Sequence, residues 1–505
     1  MLERYVKKIL ASRVYDVAVE TPLDEVPNLS RRLGNRVYLK REDLQPVFSF
    51  KIRGSYNKMA QLTDAERARG VVAASAGNHA QGVALAAREL GIAAHIVMGR
   101  NSPEIKISAV KNLGARVLLR GDSYDEAAVY AQQLVQQHDY VFVHPYDDPD
   151  VIAGQGTIGM EIINQHGGAI HAIFVPVGGG GLIAGIAAYV KYLRPEIRII
   201  GVEAEGSACL AAARAANRRV KLRYDSLDLF ADGVSVAQVG KEPFKIARRW
   251  VDDVITASTD EICGAIKDIF DDTRSIAEPA GALAVAGLKK YVALSGVSGE
   301  DLIAIDSGAN VNFDRLRHIS ERAELGEKRE AILGVTIPER PGSFRRFCRL
   351  LGKRNITEFN YRYADSAAAQ VYVGVQVASE EDRTPLIDGL RKSGYEVQDM
   401  TDNEVAKLHV RHMVGGRGDG DREEILYRFE FPERPGALLK FLGGLGSKWN
   451  ITMFHYRNHG AAWGRVLAGF QASRGDRRAL SGFLDQIGYR YWEESENPAY
   501  RMFLR

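Results

Sequence analysis

The chain has 505 residues, 46% hydrophobic and 26% charged, and its 67 Lys and Arg against 64 Asp and Glu leave a formal net charge of +3. That length exceeds one ordinary core and suggests about three domains. The two signs of charge are interspersed along the chain, which excludes a nucleic-acid stripe or a basic membrane patch. No apolar run approaches the roughly 20 residues of a membrane helix.

Leu2 to Leu10 mixes Glu3, Arg4, Lys7 and Lys8 with Val6, Ile9 and Leu10. The pattern predicts an amphipathic first helix rather than a secretory signal, and hence a cytoplasmic protein. Cys209, Cys263 and Cys348 are odd in number, far apart and without metal-ligand spacing. Buried free thiols in a reducing compartment are expected, and no metal site.

Ser49-Phe50-Lys51 comes next, followed by Arg53-Gly54. A lone lysine is ordinarily a solvated surface charge. Lys51, however, stands between Phe50 and Ile52 with only Arg53 as a solvating neighbour. Burial lowers a lysine's pKa and frees its amine as a nucleophile, which can form a Schiff base with an aldehyde. Val71 to Ala74 reads as a strand and Gln81 to Leu90 as a helix, with Ser75, Ala76, Gly77, Asn78 and His79 between them. A carboxylate docked on that loop would meet backbone N–H groups, the Ser75 hydroxyl and the Asn78 amide. Capping of the helix by Ser75 or Asn78 is the plainer use of the same residues, and His79 suits orientation or packing better than catalysis.

Ala94 to Met98 is a further strand, and Ser102 can cap the following helix with Pro103 at its first position. Arg116 to Leu119 and Ala172 to Val177 are strands, the second running into Gly178, Gly179, Gly180, Gly181 and Leu182. Four glycines let several N–H groups converge on an anion at a helix N-terminus. A tight turn alone rarely needs four. No Lys-Ser or Lys-Thr follows, and no starting glycine gives Gly-x-Gly-x-x-Gly, so nucleoside-triphosphate and dinucleotide loops are disfavoured. Arg198 to Glu203 and Leu302 to Ile305 complete the visible strands, with Glu278 to Ala282 before the last and Ser307-Gly308-Ala309-Asn310 after it. Strands apolar on both faces, alternating with Ala-rich helices, make residues 1 to about 320 an α/β region with parallel sheets.

Beyond about 325 a repeat appears. Pro338-Glu339-Arg340-Pro341-Gly342 recurs at Pro432-Glu433-Arg434-Pro435-Gly436, an offset of 432 − 338 = 94. Asn355-Ile356-Thr357 recurs at Asn450-Ile451-Thr452, Phe359-Asn360-Tyr361-Arg362 answers Phe454-His455-Tyr456-Arg457, and Gly394-Tyr395 answers Gly488-Tyr489. Four ordered blocks imply two copies of one module. Opening strands at Ala331 to Ile337 and Leu426 to Phe431, helices at Phe344 to Lys353 and Leu438 to Trp449, and then strand, strand and helix give a ferredoxin-like βαββαβ order. Gly415 to Gly420 reads as the joint between copies. The expected domains are 1–323, 324–414 and 415–505.

Lys51 in Ser-Phe-Lys, the Ser75 to His79 loop, the glycine run and Ser307 together resemble the β-family of pyridoxal phosphate (PLP) enzymes, with the tryptophan-synthase-β-like fold. The resemblance makes Lys51 the Schiff-base lysine and catalytic base, and Gly178 to Leu182 the phosphate cup. It also implies that Phe50 lies at the cofactor, that Asn78 bonds the cofactor's 3′-oxygen, and that Ser307 faces the ring nitrogen. Residues 75 to 79 would grip the substrate carboxylate, with Glu278 in support. A serine there holds that nitrogen unprotonated, which favours loss of a β-substituent over long-lived carbanions.

The repeats resemble ACT-like regulatory domains, which implies effector contacts near Tyr361, Arg362, Tyr456 and Arg457; these could equally be ordinary strand residues. With both halves present, the whole chain resembles the biosynthetic threonine ammonia-lyases. That implies elimination from L-threonine to 2-oxobutanoate and ammonia, with L-serine a secondary substrate. It also implies a homotetramer inhibited by isoleucine and relieved by valine. Degradative serine/threonine dehydratases and serine racemases share the catalytic motifs but lack the paired modules. A non-catalytic amino-acid sensor would be expected to have lost the lysine or the glycine cup, and both remain.

Overall fold

The structure is a computed structural model that describes residues 1–122, 124–223, 227–326, 330–338, 343–352, 354, 356–363, 368–377, 379–410, 424–432, 441, 449–457, 463–472 and 475–504. It divides into two compact units, Met1–Ile319 and Ser320–Arg505. Among the described residues no helix is long and apolar enough to cross a membrane.

The first unit has strands β1 (Leu23–Glu25), β2 (Arg36–Arg41), β3 (Val71–Ala74), β4 (Ala94–Met98), β5 (Arg116–Leu119), β6 (Val141–Phe142), β7 (Ala172–Pro176), β8 (Arg198–Ala204), β9 (Asp253–Ala257) and β10 (Asp301–Asp306). They form two open sheets, ordered β1-β2-β10-β7-β8-β9 and β5-β4-β3-β6. Every pairing is parallel except β1 with β2 at an edge. Parallel strands need helical crossovers that cover both faces, which is why β3, β7 and β10 are buried along their whole length.

The helix Gly181–Leu193 is buried from Gly181 through Val190 and packs on the helix Pro149–Gln165. A Cβ at Gly185 would come 2.7 Å from the Gly156 nitrogen, so only glycine permits that approach. The helix Leu2–Leu10 forms as expected and buries Tyr5, Val6 and Ile9. Two local expectations need correction. The helix expected from Gln81 starts at Asn78 with Gly77 as its N-cap, and Ser75 and Asn78 make no cap bond. The helix after β4 starts at Glu104 with Pro103 as its N-cap, so Ser102 does not cap it. Ser102 lies instead in the turn before its helix, where its N donates to Gly99 O at 3.1 Å.

The second unit carries β11 (Glu330–Pro338), β12 (Ile356–Tyr363), β13 (Ala368–Gln376), β14 (Glu396–Asp399), β15 (Glu424–Pro432), β16 (Asn450–Arg457), β17 (Trp463–Gln471) and β18 (Arg490–Glu493). Two antiparallel sheets, β12-β13-β11-β14 and β16-β17-β15-β18, have the same ferredoxin-like order. Even the irregularities repeat: a bulge between Ile356 and Glu358 is matched by one between Ile451 and Met453. The Pro-Gly turns and the Gly415 to Gly420 joint lie outside the described residues, as does most of the expected Leu438 to Trp449 helix.

Side chains alternate across a strand, and each opening strand uses both faces. Ala331, Leu333, Val335 and Ile337 fill the core of the first module, and Ile425, Tyr427, Phe429 and Phe431 that of the second. Ile332 and Leu426 point the other way, into a third core shared by the modules with Tyr372, Val405, Leu467 and Tyr500. Asn403 and Asn497 cap the short helices Glu404–Leu408 and Pro498–Phe503. These repeat-equivalent amides meet each other, Asn403 Nδ2 donating to Asn497 Oδ1 at 3.2 Å.

Candidate active site

Open parallel sheets bind ligands beyond the carboxyl ends of their strands. Here the loops after β3, β7 and β10 carry Ser75–Asn78, Gly178–Gly181 and Ser307. Lys51 begins the helix Lys51–Ala60, and its loop is pinned to the Ser307 loop. Phe50 N donates to Ser307 O at 3.3 Å, Ala309 N to Phe48 O at 2.9 Å, and Ser49 Oγ to Ser307 O at 3.2 Å. Lys51 Nζ donates to Pro145 O at 3.0 Å and lies 5.1 Å from the centre of the Phe50 ring. Burial pushes its pKa down to about 8, against the opposing pull of Glu278.

Two residues further on, Arg53 is wholly buried and fixes this helix. Its guanidinium donates to Glu42 through Nε and Nη2, both at 2.8 Å, and to Glu161 through Nη1 at 2.5 Å and Nη2 at 3.0 Å. Lys40 Nζ, also buried, lies 2.6 Å from Glu161. Two buried cations thus neutralise two buried carboxylates behind the site.

The loop after β3 is held by its own groups, Ser75 N donating to Val97 O at 3.1 Å and Gly77 N to Ser75 Oγ at 3.2 Å. Nothing lies within 4 Å of a Cβ placed on Gly77, so the loop has open space in front of it. The Asn78 amide is clamped at both ends: Nδ2 donates to Glu278 Oε1 at 2.5 Å, and Asn310 Nδ2 donates to Asn78 Oδ1 at 2.8 Å. His79 faces the interior, with Nε2 at 2.8 Å from Val143 O and Nδ1 at 3.3 Å from Ser55 Oγ. Burial and the Lys51 charge push its pKa down to about 3, so the ring is neutral, with both nitrogens engaged away from the loop.

In the glycine run Gly180 has φ +89 and caps the helix Gly181–Leu193. A Cβ at Gly178 would stand 2.9 Å from Val234 Cα, one at Gly179 would collide with the Tyr146 ring, and one at Gly181 would stand 3.0 Å from Tyr146 Cα. Leu182 is buried. Ser307 is buried too, and its Oγ donates to Ala280 O at 3.3 Å. Beside it, burial and the neighbouring Asp43 hold the Asp306 carboxyl well above the usual range, against the pull of Arg41.

The structure thus brings Lys51, Phe50, Asn78, the glycine run and Ser307 to one junction, and turns the His79 ring out of it. Sequence reasoning missed Tyr146, and gave Glu278 and Asn310 no specific contact. Glu278 and Asn78 are 200 positions apart, and no local pattern links them. Tyr361, Arg362, Tyr456 and Arg457 lie on β12 and β16, the second strand of each module, and their side chains are outside the described residues.

A family model for the pyridoxal-phosphate dependent enzymes matches residues 14–308, and one for the C-terminal regulatory domain of threonine dehydratase matches twice, at 321–410 and 415–504. The chain is 54% identical over 503 residues to the L-threonine dehydratase biosynthetic IlvA of Burkholderia multivorans, with 99% of each chain covered. It is 52% identical over 502 residues to the protein of that name from Escherichia coli, covering 99% of this chain and 97% of that one. The chain belongs to the biosynthetic threonine dehydratase family. Among solved structures, the processed form of threonine deaminase isoform 2 from Solanum lycopersicum matches with 48% identity and a TM-score of 0.62, over 64% of this chain and 93% of that one.

Biosynthetic threonine dehydratases are PLP-dependent ammonia-lyases, and the residues of this chain fit the cofactor. A Cβ at any of the four glycines of the cradle would come within 3.0 Å of a neighbouring atom, and the helix N-terminus behind it suits a phosphate. The Lys51 amine stands in a pocket dry enough to lower its pKa to about 8, the Asn78 amide is fixed at both ends, and Ser307 offers a neutral hydroxyl.

Glu278 gives this dehydratase a measurable pH signature. Burial, with the negative charge of Asp232, raises its carboxyl to about 7 from an ordinary value near 4.5. The native state therefore holds a proton between these values that the unfolded state has released. Stability falls as pH rises from about 4.5 to about 7, by at most on the order of 3 kcal/mol from this one group. Glu278→Gln should remove that slope, read as the difference between urea midpoints of mutant and parent at pH 5 and pH 7.5. Parallel curves for the two proteins would show that Glu278 titrates normally.

Proposed function

We propose that the protein eliminates water from L-threonine to give 2-oxobutanoate and ammonia, and that its paired modules report isoleucine and valine to the catalytic unit. The supporting observation is the joining of a buried-lysine PLP site to two copies of the threonine-dehydratase regulatory domain in one chain. The reading includes domains at 1–323, 324–414 and 415–505, a cytoplasmic location and a homotetramer. L-Serine, one methyl smaller, is the secondary substrate.

Bound PLP supplies an electron sink that acidifies the substrate Cα–H. Lys51 would hold the cofactor, and its Nζ would take the substrate α-proton. With a pKa of about 8 that amine is unprotonated in a useful fraction near neutral pH. The Ser75 hydroxyl and the start of the helix Asn78–Leu90 receive the substrate carboxylate, and the open space before Gly77 admits it. Asn78, unable to swing because Glu278 and Asn310 hold its two ends, orients the ring hydroxyl. Ser307, a neutral hydroxyl, would face the ring nitrogen without protonating it, an arrangement that favours joint loss of the α-proton and the β-hydroxyl as water. The released enamine takes up water and yields the 2-oxo acid and ammonia. In the modules, Tyr361 and Arg362, with Tyr456 and Arg457, contact the effectors.

A panel of L-threonine, L-serine and D-serine, scored for 2-oxo acid and for racemised product, tests this. Threonine should be turned over best. Preference for L-serine would make the protein a serine dehydratase, and interconversion of the serine enantiomers a racemase.

A further inference from the structure

The turn Asp232–Val234 touches elements of both sheets of the catalytic unit. Gly178 of the glycine run lies against Val234, and a Cβ on Gly233 would come 3.6 Å from Glu278 Oε1. The turn therefore touches both the phosphate cradle and the carboxyl that holds Asn78. Asp232 is gripped from two sides. Lys106 Nζ bonds its Oδ2 at 2.7 Å, and Arg315 Nη1 lies 3.4 Å from its Oδ1. Lys106 is on the helix Glu104–Asn112, whose Ile107 and Val110 are buried with Val71, Ala73 and Ile96 of the smaller sheet. Asp232 precedes the helix Lys241–Trp250, whose Phe244 and Ile246 belong to the core of the larger sheet. One carboxylate thus ties the two halves together across the site.

Arg315 fixes where that carboxylate stands. It is 5% exposed, and its Nη2 donates to Phe230 O at 3.0 Å and Leu229 O at 3.4 Å, while the guanidinium lies 5.6 Å from the Phe230 ring centre. His318, one turn on, meets the same ring edge-on at 5.7 Å. Both belong to the helix that starts at Arg315.

We propose that Asp232 is a positioning residue that latches the two sheets over the bound substrate, with Lys106 and Arg315 holding it from either side. The Lys106 side chain is 21% exposed and that of Asp232 is 43% exposed, so their bond can break and re-form in each cycle of opening and closing. Release of Arg315 would free segment 229–232 and with it the turn against Gly178 and Glu278. The latch rests on the proposed threonine turnover for its assay alone.

The test is a double-mutant cycle on the full-length holoenzyme with Lys106→Met and Arg315→Gln, measuring kcat and KM for threonine. Each single change should raise KM by about threefold to tenfold, with a smaller change in kcat and an unchanged cofactor absorption band. The double variant should match the worse single one, because one carboxylate serves both cations. Unchanged KM values, or effects that multiply as independent sites do, would overturn the latch. Should Arg315→Gln not fold, Asp232→Asn replaces it in the same cycle. A parent protein inactive on threonine but with its cofactor band intact would count against the substrate reading alone, and amino-acid binding read from that band then replaces KM in the same cycle.

Discussion

Lys51→Ala should abolish 2-oxobutanoate formation, by about 10⁴-fold or more, since one substitution removes both the cofactor attachment and the base. The protein should still fold, because the lysine side chain makes a single hydrogen bond, to Pro145 O, and the helix it begins is held by Arg53. Three readouts check this: the oxo-acid assay, borohydride trapping of cofactor on the peptide containing residue 51, and far-UV circular dichroism. The parent carries a companion pH dependence. Attachment requires the free amine, so PLP capture by cofactor-stripped protein should accelerate as pH rises through about 8 and then level off. A midpoint near 10.5, the ordinary lysine value, would show that Lys51 is solvated and not buried as described.

Arg53→Met should cost about 3–5 kcal/mol of stability, enough to consume much of a domain's margin of roughly 5–15 kcal/mol. The guanidinium supplies four hydrogen bonds to Glu42 and Glu161. Without it Lys40 alone faces two buried carboxylates, and one negative charge is left uncompensated in a dry site. Arg53→Lys keeps the charge but not the two-sided fork, and should fall between parent and Met variant. The denaturant midpoint of the first unfolding transition ranks the three. Equal midpoints would mean that the cluster is neutral overall, as a well-packed apolar substitute for a buried ion pair can be.

Much of the catalytic chemistry is legible because PLP enzymes of this kind write it in contiguous strings. A lysine behind Phe50, four glycines after a buried strand, and a polar loop before an Ala-rich helix are each local patterns with a physical reason. The contacts that tune those residues are not local. Glu278 reaches Asn78, Tyr146 fills the space beside Gly179 and Gly181, and Asp232 joins Lys106 to Arg315. These arise where distant loops converge, and no spacing rule marks them. Strand β2 escaped for another reason. Its Lys40 and Arg41 break the apolar pattern by which the other strands are recognised, and Glu161 and Asp43 neutralise them in the interior.

His79, expected to orient or pack rather than catalyse, lies at the start of the helix Asn78–Leu90 with its ring turned inward. In the second unit the repeat and the strand order were legible from Pro-Glu-Arg-Pro-Gly and the alternating opening strands. The shared core was not, because Ile332 and Leu426 read alike whether a sheet's second face meets water, a helix or its own duplicate.

The most direct single measurement is 2-oxobutanoate production from L-threonine by the PLP-loaded full-length protein, with isoleucine added and then valine. Turnover that isoleucine suppresses and valine restores is the predicted result, because it engages the Lys51 site and both modules at once. Turnover indifferent to isoleucine would contradict the regulatory half of the account, and no turnover of threonine would contradict its centre.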